Sequence, residues 1–223
     1  MDIDFSALRV KMVDGQVRTT DVTDQRLLGA MLAVPREDFV EPAQRDLAYI
    51  DEDLRYLTAG GESPRYLMEP SPFAKLVQLA EIGASDFVLD VGCGTGYSAA
   101  IFSHLASSVV ALESDPVLAE KATAKLAALG CDNVAVVQGA LEAGYAKQAP
   151  YDVIFLEGSA DEVPAALLAQ LKEGGRLVAV EGRGNAGVAR LFVKSGETVT
   201  SRRSFNAAIK PLPGFERTAQ FQF

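Results

Sequence analysis

The sequence predicts an α/β fold, a mostly parallel sheet with helices on both faces and a helical cap at the N-terminus. Three observations carry that expectation. Residues 87–102 read as strand, glycine turn and helix, the arrangement by which an open α/β sheet holds a nucleotide. From residue 109 to 180, short apolar runs alternate with capped helical stretches, which implies parallel strands joined by helices. Residues 1–60 show helical spacing and no strand alternation.

Taken in order, Asp21-Val22-Thr23-Asp24 offers N-cap candidates for a helix carrying Leu27, Leu28, Met31 and Leu32, which Pro35 stops. Phe39-Val40-Glu41-Pro42 opens another short element, and Ala48-Tyr49-Ile50-Asp51 leads into a polar loop ending at Gly60-Gly61. This region is too short to hold a core comfortably by itself, so it reads as a cap on the sheet. Arg65 to Pro70 reads as a loop. Ser71 then caps a helix with Pro72 at its first position, Phe73, Leu76, Val77, Leu79 and Ala80 on its apolar stripe, and Gly83 at its end. After the glycine turn come a strand over 109–113, a helix capped by Asp115 with Pro116 first and Gly130 beyond it, and a strand over Val134–Val137. Tyr151–Leu156, a helix around 162–172, Gly174-Gly175 and a strand over Arg176–Val180 follow. The stretches Val188–Val193, Thr198–Ser204 and Arg217–Phe223 have β character and are expected at a sheet edge. The expected division is a cap and active-site loop over 1–70 and a ligand-binding domain over 71–223, forming one structural unit.

Length and composition narrow the function. A chain of 223 residues with 48% hydrophobic content suits one domain with a sizeable core. Lys+Arg 21 against Asp+Glu 30 gives a net charge of −9, which argues against a nucleic-acid backbone as partner. Cys93 and Cys131 make no disulfide framework. The single histidine, His104, excludes histidine triads and His-cluster metal sites, so no metal is expected. Met1-Asp2-Ile3-Asp4 is acidic and no long apolar run appears, so neither a signal peptide nor a membrane span is expected, and the expected setting is cytoplasmic.

The glycine turn then selects a ligand. Gly92, Gly94 and Gly96 allow tight turning and close backbone approach. The dinucleotide fingerprint needs a glycine three residues after the second, where Tyr97 stands. Asp90, just before the turn, would repel a pyrophosphate but attract the ammonium and sulfonium of S-adenosyl-L-methionine. Glu113, with Ser114 beside it, ends the next apolar run about twenty residues on, where a ribose diol is bound. The pattern therefore favours S-adenosyl-L-methionine over NAD, held by Asp90, Gly92, Cys93, Gly94, Thr95, Gly96, Tyr97, Glu113 and Ser114. A glycine turn without a ligand is the bland alternative.

With these residues in hand, the chain resembles the protein-L-isoaspartate O-methyltransferase family, within the Rossmann-like class I methyltransferase fold of seven strands. The resemblance runs through Ala30 to Val40, Ala48 to Asp51, the glycine turn, Ala149 to Ile154 and Val163 to Val178. Its more specific parts are Val34-Pro35-Arg36-Glu37-Asp38-Phe39-Val40 and Val163-Pro164-Ala165-Ala166-Leu167-Leu168-Ala169-Gln170-Leu171 with Gly174-Gly175-Arg176-Leu177-Val178. It implies methylation of an isoaspartyl carboxylate in a peptide or protein. Three positions depart from the family. Its Gln-Thr-Ile-Ser-Gln-Pro signature stands here as Arg65-Tyr66-Leu67-Met68-Glu69-Pro70, so Met68 replaces the active-site serine. Its Gly-Asp-Gly motif stands as Gly139-Ala140-Leu141, which removes the acid near the adenine and leaves Ala140 and Leu141 there. Glu157 stands where the family has a threonine.

Met68 cannot donate a hydrogen bond to a carboxylate. Glu157, if charged, repels an anionic acceptor and suits a neutral hydroxyl or amine that must lose a proton. Arg65 offers a bidentate anchor for a carboxylate. The candidate catalytic set is therefore Arg65, Met68 and Glu157. Three readings stand: an isoaspartyl-type O-methyltransferase, a relative acting on a small-molecule hydroxyl or amine, and a cofactor-binding protein without catalysis. A monomer or small homo-oligomer is expected.

Overall fold

The computed structural model describes residues 3–58 and 64–217, so Gly60-Gly61 and the stretch after Arg217 lie outside the described residues. The chain opens with α1 (Phe5–Met12), capped by Asp4, whose side chain accepts from the Ala7 amide. A π-helical turn (Val13–Val17) and a 3-10 turn (Arg18–Thr20) lead to α2 (Gln25–Ala33). Of the four cap candidates Asp24 does the capping, accepting from Arg26 N and Leu27 N. A 3-10 stretch over Pro42–Leu47 is the short element expected there.

The segment expected as loop holds a small ladder instead. β1 (Leu54–Arg55) pairs antiparallel with β2 (Tyr66–Leu67), Leu54 opposite Leu67 and Arg55 opposite Tyr66. The next helix, α3 (Pro70–Ala80), starts earlier than expected. Pro70 takes its first turn, where a missing N–H costs nothing, and Ser71 bonds Thr20 instead of capping. The helix stops at Glu81, left-handed at φ 49°, before Gly83 is reached.

The main sheet has seven strands in the order β5-β4-β3-β6-β7-β8-β9. These are β3 (Phe87–Val91), β4 (Ser108–Glu113), β5 (Val134–Gln138), β6 (Tyr151–Ala160), β7 (Leu171–Glu181), β8 (Val188–Ser195) and β9 (Thr198–Asn206). Pairs from β5 through β7 are parallel, and β7-β8-β9 closes the edge antiparallel. α4 (Tyr97–Leu105) follows β3, and α5 (Pro116–Ala128) follows β4 with Asp115 capping Val117 N and Leu118 N. The helix expected over 162–172 is only α6 (Ala165–Ala169). It yields because Leu171 already pairs with Tyr151; the chain then bulges until Arg176 meets Val153. Arg217 lies in no strand. The tail instead lies over the end of β6, with Ser159 N donating to Lys210 O and Leu212 N to Ser159 O, both at 2.9 Å.

Strand alternation divides the core between two faces. Val88, Ala111, Val153 and Phe155 join Met12, Leu28, Met31 and Phe102 in one cluster. Leu89, Leu112, Ile154 and Leu177 join Leu167 and Phe215 in the other. β4 and β6 leave β3 in opposite directions, so the strand order reverses at β3, and a crevice forms beyond the carboxyl ends of these strands.

Candidate functional site

The crevice at β3 gathers most of the expected residues. Val91 lies level with Leu112 of β4 and Leu156 of β6, so Gly92, Glu113 and Glu157 emerge together from three adjacent strands. Gly92, Gly94 and Gly96 have φ of +87°, +58° and +97°, which L side chains rarely adopt. A Cβ at Gly94 would come within 2.5 Å of the Tyr56 ring, so a second reason for glycine is the close approach of that side chain.

Glu113 is fully buried, and its carboxylate is surrounded by donors. Gly94 N reaches Oε2 at 2.8 Å, Ser114 N and Asp115 N reach Oε1 at 2.8 and 3.0 Å, and Arg65 Nη1 reaches Oε1 at 2.5 Å. Arg65 is itself buried, and its other nitrogen donates to Gly92 O at 2.9 Å. The structure thus places Arg65 on Glu113 and the glycine turn rather than free to meet an acceptor carboxylate. A ribose diol approaching Glu113 must share that carboxylate with Arg65 or displace it.

Asp90 ends β3 fully buried. Ser98, in the first turn of α4, donates to Oδ2 at 2.6 Å, while Oδ1 is buried with no partner. Burial pushes the Asp90 carboxyl up to about 7, with Glu113 adding to the rise and Ser98 and Arg65 opposing it. Alternation along β6 turns Glu157 to the same sheet face as Val153, Phe155 and Asp90. Glu157 is half-buried as a residue, yet its Oε1 is buried and unpartnered. Burial, then the charge of Asp90, holds its carboxyl well above the ordinary glutamate range.

Met68 is buried and lines a narrow cleft with Arg65, Glu157, Asp53, Lys210 and Leu212. A roomier cavity, about 520 Å³, is lined by Glu41, Gln44, Arg55, Tyr56 and Leu57, with neither Asp90 nor Glu113 in its wall. The acids mark the chemistry; the volume does not.

The remaining expected residues serve the turn in different ways. Thr95 Oγ1 donates to Phe39 O at 2.5 Å, tying the turn to the cap. Tyr97 is buried between Phe39 and Phe73 with its hydroxyl unpartnered. Burial raises the Cys93 thiol far above its usual range, so it acts as a small packed side chain. Beyond β5, Ala140 is exposed and Leu141 is buried in the second core cluster.

Three residues escaped the sequence reading. Arg36 is fully buried, donates to Ala48 O and Met68 O at 2.8 and 2.7 Å, and lies 4.9 Å from the Tyr97 ring centre with Nη1 unpartnered. Its signal was an arginine inside Val34-Pro35-Arg36-Glu37-Asp38-Phe39-Val40, one of the more specific parts of the resemblance. Ser98 was legible as a polar group in the first turn of a mostly apolar helix, directly after the glycine turn. Tyr56 carried no signal.

The residues present fit an S-adenosyl-L-methionine ligand. Asp90 Oδ1 is an orphaned buried acceptor for a cationic donor, and the glycine turn provides backbone with no side chains of its own, against which Tyr56 and Leu212 pack. The family model for protein-L-isoaspartate(D-aspartate) O-methyltransferase (PCMT) matches residues 9–212. The chain belongs to this family. A relative named protein-L-isoaspartate O-methyltransferase from Koribacter versatilis is 38% identical over 174 residues, covering 78% of this chain and 76% of the relative. Protein-L-isoaspartate O-methyltransferase 1 from Rhodopseudomonas palustris (strain HaA2) is 36% identical over 214 residues, 95% of this chain and 85% of its own.

Among solved structures, a protein-L-isoaspartate O-methyltransferase superposes with a TM-score of 0.79 at 29% identity, over 92% of this chain and 66% of that one. A putative family member from Plasmodium falciparum, in complex with S-adenosyl-L-homocysteine, superposes at 0.75 and 19% identity over 95% and 99%, which supports the fold.

Proposed function

We propose that this chain transfers the methyl group of S-adenosyl-L-methionine to the side-chain carboxylate of an isoaspartyl residue in a peptide or protein. The observation that carries this reading is the assembly of Asp90, the glycine turn and Glu113 at the point where the strand order reverses. Glu113 takes the ribose hydroxyls, Asp90 the ammonium group, and Gly92 to Gly96 let the backbone approach. Bound S-adenosyl-L-methionine supplies an electrophilic methyl group and a thioether leaving group.

A carboxylate acceptor is already an anion, so the protein must align it and keep water out rather than remove a proton. Met68 fills the cleft without offering water a partner. The raised carboxyl of Glu157 bears on the choice of acceptor: the less of it that is charged, the less it repels an anionic acceptor carboxylate. An acceptor that is already an anion is therefore tolerated beside it.

In this reading residues 1–70 act as cap and acceptor loop on a methyltransferase unit over 71–223. The protein works in the cytoplasm, as a monomer or small homo-oligomer. No helix among the described residues is long and apolar enough to cross a membrane.

The test is transfer of labelled methyl from S-adenosyl-L-methionine to an isoaspartyl peptide, with the matching aspartyl peptide as control. A base-labile methyl ester on the isoaspartyl peptide alone is expected. Transfer to a small hydroxyl or amine compound, with none to the peptide, would replace this reading with that of a relative whose acceptor has changed.

A further inference from the structure

The cleft beside Met68 poses a problem of donors. An acceptor carboxylate entering it needs hydrogen bonds, and the residue at the family's serine position has none to give. Arg65 is engaged with Glu113 and Gly92 O. Arg36 spends two nitrogens on Ala48 O and Met68 O, and its unpartnered Nη1 belongs to a side chain outside the cleft lining. Lys210 is half in solvent and lies 4.0 Å from Asp53. Among the described residues lining the cleft, the buried side-chain polar atom without a partner is Glu157 Oε1, while Tyr66, with its hydroxyl, also lines it on a half-buried side chain.

We infer that Glu157 replaces the lost serine hydroxyl, presenting a carboxylic O–H to the acceptor carboxylate as a catalytic hydrogen-bond donor. The inference rests on the isoaspartyl reading above.

Its first support is the placement of two carboxyls, Asp90 and Glu157, on one sheet face at the ends of neighbouring strands. Two such groups in a shared buried site do not both ionise readily; one retains a proton. The hydrogen bonding decides which. Ser98 donates to Asp90, and a donated hydrogen bond favours the charged form, so the negative charge settles on Asp90. Glu157 keeps the proton.

The groups acting on Glu157 agree with this. Asp90 on β3 opposes its ionisation and Ser98, Arg65 and Arg36 favour it, while burial outweighs all three. Tyr56, Tyr97 and Cys93 pack around it as neutral groups, all held protonated by burial. Asp53 and Lys210 share the cleft and oppose each other in charge.

A neutral carboxyl also removes the repulsion that a charged Glu157 would exert on an anionic acceptor. It donates to the carboxylate oxygen that is not attacked. The other oxygen forms the new O–CH₃ bond, the C–S bond breaks with its electron pair going to sulfur, and the proton stays on Glu157 throughout. The ester formed is a weaker acceptor than the carboxylate, so the same bond loosens when product must leave.

The experiment compares the parent with Glu157→Gln and Glu157→Ala. Each is assayed for kcat and KM on an isoaspartyl peptide between pH 5.5 and about 9, and for S-adenosyl-L-homocysteine binding by calorimetry. In the parent, kcat/KM for the peptide at saturating S-adenosyl-L-methionine should fall on the alkaline side as rising pH strips the Glu157 proton. Glu157→Ala should raise KM about tenfold or more, the size expected when a charged partner loses its donor. Glu157→Gln keeps an N–H to donate, so it should recover most of that loss and lack the alkaline fall. Homocysteine-ligand affinity should hold in both variants. The infrared difference between parent and Glu157→Gln should contain a carboxylic-acid band in addition to that of Asp90, a readout independent of turnover.

An active parent with Glu157→Ala equally active overturns the inference alone. So does activity that rises with pH and is lost in Glu157→Gln, which would make Glu157 a base. A parent that binds the cofactor but is silent on the peptide overturns the isoaspartyl reading, and this inference with it.

Discussion

Asp90 is asked to be buried, charged and partly unpaired at once. One oxygen has Ser98 and the other has no partner. Its carboxyl titrates near 7 when folded and near the ordinary aspartate value when unfolded. A folded-state value above the unfolded one means the native protein binds the proton more tightly. The associated stability is therefore fully present below about pH 4 and is lost as pH rises through 7. Asp90→Asn cannot ionise and should escape that loss. Urea unfolding at pH 4.5 and pH 8 should show the variant gaining on the parent by a few kcal/mol over this interval, while its affinity for S-adenosyl-L-homocysteine drops about tenfold or more. A constant difference in stability between the two pH values would mean that Asp90 is already ionised throughout. Glu157 titrates in the same direction, so the parent's slope contains both groups and the variant isolates one.

At the scale of elements, the short ladder of β1 and β2 has the largest influence on the site. Tyr56 N donates to Arg65 O at 2.8 Å just past the ladder, so the two side chains that meet the glycine turn and Glu113 are carried by one hairpin. The Arg65–Glu113 pair is almost wholly buried. Removing one partner of a buried pair leaves an uncompensated charge and costs roughly 3–5 kcal/mol, whereas removing both costs less than the sum. Arg65→Ala and Glu113→Ala should each lower stability by about that amount in chemical denaturation, with the double variant close to either single one. Additive losses would show that the amides of Gly94, Ser114 and Asp115 satisfy Glu113 without the arginine. This hairpin was also the least legible part of the sequence: two-residue strands have no period, and their pairing is set by what they pack against. The glycine turn was legible because β3 and β4 are apolar runs ended by acids, a local pattern with a local cause. The end of the helix expected near 172 was not, since it is decided by Leu171 pairing with Tyr151, twenty positions away in sequence, and by Gln170 donating to Ala143 O and Ala166 O. Site residues followed the same division. Asp90 and Glu113 sit on strands that the sequence shows, whereas the engagement of Arg65 with Glu113 depends on a contact across 48 positions.

For the molecule as a whole, the question is whether the N-terminal 70 residues are an accessory or part of the fold. The main cluster of buried side chains runs without a break from Met12, Leu28 and Met31 through Phe73 and Phe102 to Val153 and Val178. Polar ties reinforce it: Arg26 donates to Ile82 O at 3.0 Å and also to Leu105 O, and Gln78 accepts from the amides of Thr23 and Asp24. A cap that shares its core with the sheet cannot unfold while leaving the sheet's face covered, so both parts should melt together. Leu28, 1% exposed on α2, is the place to test this. Leu28→Ala leaves a cavity in the shared core and should cost about 2–5 kcal/mol. If the fold is one cooperative unit, that loss should appear equally in the amide hydrogen-exchange protection of α2 and of β3, although β3 does not touch the substituted residue through its own backbone. Unfolding followed by circular dichroism and by tyrosine fluorescence should give one coincident transition in parent and variant alike. Protection lost only in residues 1–70, with β3 unchanged, would instead make the cap a separable lid that opens over the crevice while the sheet remains folded.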